Sequence, residues 1–137
     1  MPIAIETLIP HRAPMRFIDA LTDCTDTNAS ATASFCADHF AVADGAVLET
    51  ALVECVAQTV AAAQGHRAKH RGHSGGGATD GMMIAVSNFQ IQSRAPAEKQ
   101  LHIEIRDLKR LGPMLMISSI IFCEGKVIAS GELMLYA

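Results

Sequence analysis

The stretch VLETALVECVAQTVAAAQG, residues 47–65, decides the fold. It holds no proline, and no glycine before Gly65. It is rich in Ala, Leu, Glu and Gln, which lose little freedom in a helix. Its apolar residues do not form one stripe: Val47, Leu48, Ala51, Leu52, Val53, Cys55, Val56, Ala57, Val60 and Ala61 fall on nearly every side. A helix that is apolar almost all round is buried almost all round. We therefore expect a central helix over residues 47–65, with Asp44 and Gly45 as its start chemistry and Gly65 ending or loosening it.

Upstream, residues 1–15 carry Pro2, Pro10 and Pro14, too many interruptions for a long helix. A short strand is expected over 16–21, a polar turn over 22–28, and a second strand over 29–35. Downstream, residues 66–81 are basic and then glycine-rich, which predicts a flexible loop. Four β-like stretches follow, over 82–92, 101–106, 114–123 and 127–136. The second alternates strictly, with Leu101, Ile103 and Ile105 on one face and His102, Glu104 and Arg106 on the other. Glu124-Gly125-Lys126 is a hairpin signal, and Leu111-Gly112-Pro113 is another turn. The order is two strands, one buried helix and four strands. An antiparallel sheet must bury one face. With a single helix available it must curl around that helix, which is the α+β hotdog arrangement, as one domain over residues 1–137.

Half of the 137 residues are apolar and 18% are charged, for a net charge of −3. That balance lacks the basic bias of a nucleic-acid binder. Tryptophan is absent and tyrosine occurs once, so platforms for base stacking are not expected. The low charge points to surface buried in an oligomer. The N-terminus lacks the basic start and apolar core of a signal peptide. No stretch approaches the roughly 18 uninterrupted apolar residues of a membrane span, so no membrane partner is expected. Cys24, Cys36, Cys55 and Cys123 form no CxxC pair. They are expected to be reduced and mostly packed in a cytoplasmic protein.

Three stretches resemble the hotdog 3-hydroxyacyl-acyl carrier protein dehydratases. The first is Leu8-Ile9-Pro10-His11-Arg12-Ala13-Pro14-Met15, followed by Phe17-Ile18-Asp19. It is similar to the family's PHR-x-P-[FM] motif, which leads into a strand ending in Asp. The second is Asp38-His39-Phe40, then Gly45, then Leu52-Val53-Glu54-Cys55-Val56-Ala57-Gln58. It is similar to the HF…G…[IL]-E-x-[MV]-AQ core. The third is Met83-Ile84-Ala85-Val86-Ser87-Asn88-Phe89, similar to the strand after the loop. Within this group, PHRAPM and the VECVAQTVAAAQG helix most resemble the dehydratase-like proteins of aryl polyene gene clusters. One stretch differs from the family. Where the typical loop is HFPGxPxxPG, this chain reads His39-Phe40-Ala41-Val42-Ala43-Asp44-Gly45, without the prolines and one residue longer before the carboxylate.

The resemblance implies dehydration of a 3-hydroxyacyl thioester on an acyl carrier protein, with no cofactor. That reaction needs a base for carbon 2, an acid for the hydroxyl at carbon 3, and polarisation of the thioester carbonyl. His39 is the expected base, since imidazole titrates near neutral pH. Glu54 is the expected acid, since burial favours the neutral carboxyl. Gly45, Ala46 and Val47 are expected to hold the carbonyl at the helix start. Gln58, one turn beyond Glu54, is expected at the substrate or as an orienting group. His11 and Arg12 are expected to fix the N-terminal segment. A hotdog thioesterase and a non-catalytic partner of an active hotdog subunit remain open alternatives. The expected assembly is a homodimer or higher oligomer, or a pair with a second hotdog protein. His66, His70 and His73 invite a metal, but Arg67, Lys69 and Arg71 surround them, so none is expected. Docking of an acidic carrier protein is the alternative use of that basic stretch.

Overall fold

The computed structural model describes residues 3–9, 12–70 and 83–136. The described elements are strand β1 (Ile3–Ala4), a 3-10 turn (Ile5–Thr7), β2 (Ile18–Cys24), β3 (Asn28–Ala33), β4 (Val42–Ala43), β5 (Ala46–Val47), helix α1 (Glu49–His70), β6 (Met83–Ile91), β7 (Leu101–Leu111), β8 (Met114–Cys123) and β9 (Lys126–Tyr136). Seven strands form one antiparallel sheet in the order β1-β2-β3-β7-β8-β9-β6. Helix α1 packs on β2, β3 and β7. One long helix against one large curled sheet is the hotdog arrangement.

The alternating strands follow their period. In β7, Leu101, Ile103 and Ile105 are buried and His102, Glu104 and Arg106 are exposed. In β8, Leu115, Ile117, Ser119, Ile121 and Cys123 turn inward. From the helix, Leu52, Cys55, Val56, Thr59, Val60, Ala62 and Ala63 are almost wholly buried. Each large apolar side chain removed from water here contributes about 1.5–3 kcal/mol. Val53, Glu54, Ala57, Gln64 and Ala68 are only half-buried, so one side of the helix is less covered than the sequence implies.

The helix ends differ from expectation, each for a physical reason. At the start, Leu48 supplies the first helix acceptor, its carbonyl taking the N–H groups of Ala51 and Leu52 at 3.0 and 3.2 Å. Residues 42–47 form a small hairpin instead: Val42 pairs with Val47 and Ala43 with Ala46. Asp44 and Gly45 make its turn, both left-handed at φ 53° and 76°. Asp-Gly suits a two-residue hairpin turn that needs φ > 0 at both positions. At the far end, α1 runs through Gly65 to His70. Gly65 lies against the backbone of Leu8, where an added Cβ would stand 2.8 Å from the Leu8 carbonyl oxygen. It serves close approach, not termination. Beyond it, Arg67 is buried. Its Nε donates to the Thr25 carbonyl at 2.7 Å and an Nη to that of Asn28 at 3.3 Å, and it faces Asp107 at 3.9 Å. This clamp ties the last helical turns to the β2–β3 turn. Residues 66–70, expected as the start of a loop over 66–81, are therefore helical, and residues 71–82, His73 and the glycine run included, lie outside the described residues.

Candidate active site

Glu54 lies on the second turn of α1, half-buried in an apolar run. Gln58 follows at i+4, 1% exposed, and its Nε2 donates to Glu54 Oε2 at 3.0 Å. The rest of that amide is engaged by the segment before β2. Nε2 also donates to the Met15 carbonyl at 2.9 Å, while Oε1 accepts from Phe17 N–H at 2.8 Å and Ile18 N–H at 3.4 Å. Two donor hydrogens and two acceptor positions exhaust a primary amide. Gln58 is thus saturated within the chain and positions Glu54, with nothing left over for substrate.

His39 sits in the turn ahead of the β4–β5 hairpin. Its backbone N–H donates to the Cys36 carbonyl at 3.0 Å and its carbonyl accepts from Val42 N–H at 3.0 Å. Its Nδ1 accepts from Ala41 N–H at 2.9 Å. Aromatic rings enclose it: Phe40 stacks at 4.6 Å between centroids, and Phe35 and Phe17 meet it edge-on at 5.1 and 5.7 Å. The sequence pointed to His39 but not to this aromatic cage; the adjacent His39-Phe40 pair was its only local sign. Phe17 serves both groups, since its backbone binds Gln58 while its ring packs against His39.

Gly45, Ala46 and Val47 do not sit at the helix start, because α1 begins at Glu49. Their backbone is engaged in fixing the hairpin: Val47 N–H donates to the Ala95 carbonyl and the Gly45 carbonyl accepts from Ala97 N–H, at 2.8 and 2.9 Å. Ala46 and Val47 instead line a cleft of about 260 Å³ with Leu48, Glu49, Leu52 and Arg94. His39 and Glu54 are not among its walls. Sequence reasoning missed Arg94, which lines the cleft and donates to the Asp44 carbonyl.

The N-terminal segment is fixed by Arg12, which donates to the carbonyls of Ile9 and Glu6 at 3.0 and 3.1 Å. His11 lies outside the described residues. His66 and His70 come together at the end of α1, with ring centroids 4.1 Å apart. Burial, His70, Arg67 and Lys69 together push the His66 imidazole below its usual range. Among the described residues no group of three or more His, Cys, Asp or Glu side chains could hold a metal. Of the cysteines, Cys55 and Cys123 are buried, Cys24 is half-buried and Cys36 is exposed; all are free thiols, and burial pushes Cys55 far up. Cys36 is thus the exception to the packed cysteines expected. No helix among the described residues is long and apolar enough to cross a membrane.

Comparison with known proteins adds independent observations. No curated protein matches the chain. Among solved structures, the dehydratase heterocomplex ApeI:P from Xenorhabdus doucetiae is similar at a TM-score of 0.84 and 20% identity, over 98% of this chain and 90% of that one. Thioesterase superfamily member 2 from Mus musculus is similar at a TM-score of 0.64 and 14% identity, over 85% and 79%. The E. coli PaaI protein from the phenylacetic acid degradation operon is similar at 0.65 and 10%, over 85% and 81%. At such identities these three share the hotdog fold. A family model, ApeP-like, described as ApeP dehydratase, matches residues 3–137. The chain belongs to the ApeP-like dehydratase family.

Proposed function

We propose that this chain serves in the dehydration of a 3-hydroxyacyl thioester, carried on an acyl carrier protein, to the 2-enoyl thioester. Glu54 and His39 are the proton-transfer and carbonyl-polarising groups. The observation that carries this reading is the presentation of Glu54. A carboxylate in an apolar helix is held at one oxygen by a buried amide, and that amide is locked to the backbone at Phe17 and Ile18. Such pre-orientation of a reactive group is what acid–base chemistry requires. Family membership supports the same reaction class. Ala46 and Val47 flank a cleft of a size to take part of an acyl or pantetheine chain.

A second reading is favoured by the β4–β5 hairpin, which stands where the resembling dehydratases carry a proline loop. In that reading the chain pairs with another hotdog subunit, as the ApeI:P heterocomplex does, and the pair is the working unit. The less covered helix side at Val53, Ala57, Gln64 and Ala68 is available for either kind of pairing. One assay addresses these readings. The chain is incubated, alone and with a second hotdog subunit, with a 3-hydroxyacyl carrier protein, and the acyl product is weighed by mass spectrometry. Loss of one water supports dehydration. A free carrier thiol would mean a thioesterase. Glu54→Gln is expected to lower the rate by about 100-fold or more, the scale of a lost general acid–base group. Normal turnover by that variant would refute the role of Glu54.

A further inference from the structure

Two hydrogen bonds bear on what His39 and Glu54 can offer a substrate, and they move to Glu54 the base role expected of His39. Ala41 is 2% exposed, so its backbone N–H needs an acceptor inside the chain. His39 Nδ1 is that acceptor, at 2.9 Å. A backbone amide can only donate, so Nδ1 must keep its lone pair, and the neutral ring then carries its hydrogen on Nε2. A base acting at Nε2 would need the opposite tautomer. That would set two donors against each other at Nδ1 and orphan a buried amide. A doubly protonated ring has the same fault. Nor can the ring readily turn over, packed as it is among Phe40, Phe35 and Phe17.

The second bond concerns Glu54. Gln58 Oε1 is pinned by Phe17 and Ile18 N–H, so the face it turns to Glu54 is its NH₂ group. A donor aimed at Oε2 makes that oxygen an acceptor. Oε2 accepts in the acid and in the carboxylate alike, so the choice falls on the imidazole: His39 is a donor, and Glu54 is the group left to take a proton.

We propose that His39 acts as a neutral hydrogen-bond donor, through Nε2–H, to the thioester carbonyl oxygen, and that Glu54 takes the proton from carbon 2. This rests on the dehydratase reading of the same site. As the C2–H bond breaks, its electron pair moves toward the carbonyl oxygen, where Nε2–H meets the developing charge. The pair then forms the C2=C3 bond as the C3–O bond breaks. The hydroxyl leaves as water with the proton that Glu54 carried, and Glu54 returns to carboxylate. His39 keeps its charge throughout. The His39 assignment comes from its own bond to Ala41, and that of Glu54 follows from it. It holds whether the two groups act from one chain or across a pair.

The test has an arm that needs no turnover. The full chain is labelled with ¹⁵N-histidine, and two-bond ¹H–¹⁵N correlations are recorded at pH 7, with His39→Gln assigning the resonance. The expected result is the Nε2–H tautomer at His39. An Nδ1–H tautomer or a charged ring would overturn the proposal, whatever the activity. The second arm is dehydration by the chain, with its hotdog partner where required. His39→Gln keeps an N–H near the place of Nε2 but cannot be a base, and it should stay within about tenfold of wild type. His39→Ala should lose about 100-fold or more, as when one oxyanion donor is removed. If folded His39→Gln is as dead as His39→Ala, the donor role is refuted. If the Nε2–H tautomer is present but no enoyl product forms with any partner, the donor assignment stands and the dehydratase reading falls.

Discussion

Replacing Gln58 with methionine keeps the side-chain volume and strips out every polar atom. Three backbone groups then lose a partner: Phe17 N–H, Ile18 N–H and the Met15 carbonyl. Phe17 and Ile18 are 6% and 0% exposed, so water cannot replace what their amides lose. The Met15 side chain is 56% exposed, so its carbonyl is the easiest of the three to resolvate. The bond to Ile18, at 3.4 Å, is the weakest. An orphaned buried donor costs about 1–3 kcal/mol, and methionine recovers part of that through its apolar surface. The net loss should be about 2–4 kcal/mol. For a domain of this size that is roughly 8–15 °C in Tm. Thermal unfolding followed by circular dichroism, at matched oligomeric state, measures it. The same variant frees Glu54 from its clamp, so dehydration should also fall at temperatures well below the new Tm. A Tm within 3 °C of wild type would refute the claim that Gln58 carries the backbone of residues 15–18.

Two further outcomes follow from the end of α1. Gly65→Ala should destabilise the fold by about 1–3 kcal/mol in a denaturant titration. Alanine's better helix propensity is outweighed where its Cβ meets the rigid Leu8 carbonyl at 2.8 Å, and a stabilised variant would refute that contact. The His66 imidazole is held below its usual range by burial first and then by His70, Arg67 and Lys69. A lowered base contributes stability that is present above its unfolded value near 6.5 and is lost as the pH falls through the folded value. Tm should therefore decline on acidification below about pH 6.5, and less steeply in His66→Gln. Parallel pH profiles for the two proteins would contradict it.

What was legible in the sequence was periodicity. The alternation of Leu101, Ile103 and Ile105 against His102, Glu104 and Arg106 gives the faces of β7, because a period of two has only one way to bury a face; the strand runs on past the expected 106 to Leu111, where the alternation is lost. The helix interior was legible from composition instead, with no proline, strong helix formers and apolar residues on nearly every side. Its ends were not. Val47 and Leu48 are as apolar as the helix and would satisfy it, yet the Asp44-Gly45 turn claims Val47 for a hairpin strand. Gly65 looked like a stop signal because the Leu8 carbonyl that demands it lies far away in sequence. The site shows the same division. The i+4 spacing sets Gln58 beside Glu54. What makes Gln58 immovable is the backbone 40 to 43 residues earlier, and no local pattern announces that.

That distant backbone also explains how the chain keeps a carboxylate in so apolar a helix. Glu54 is set in place by an amide, the amide by the N–H groups of Phe17 and Ile18, and the Phe17 ring in turn packs against the imidazole of His39. One residue thus supports both chemical groups, through its backbone on one side and its ring on the other. The segment that leads into β2 is therefore more than a connection. Moving it would tilt the Gln58 clamp and open the cage around His39 together. The PHRAPM stretch lies immediately before it, anchored in part by Arg12 to the carbonyls of Ile9 and Glu6. Variation at residues 12–17 should accordingly act on both groups at once, whereas variation in the β4–β5 hairpin reaches the cleft and, through Val42, the backbone of His39, but not the Gln58 clamp.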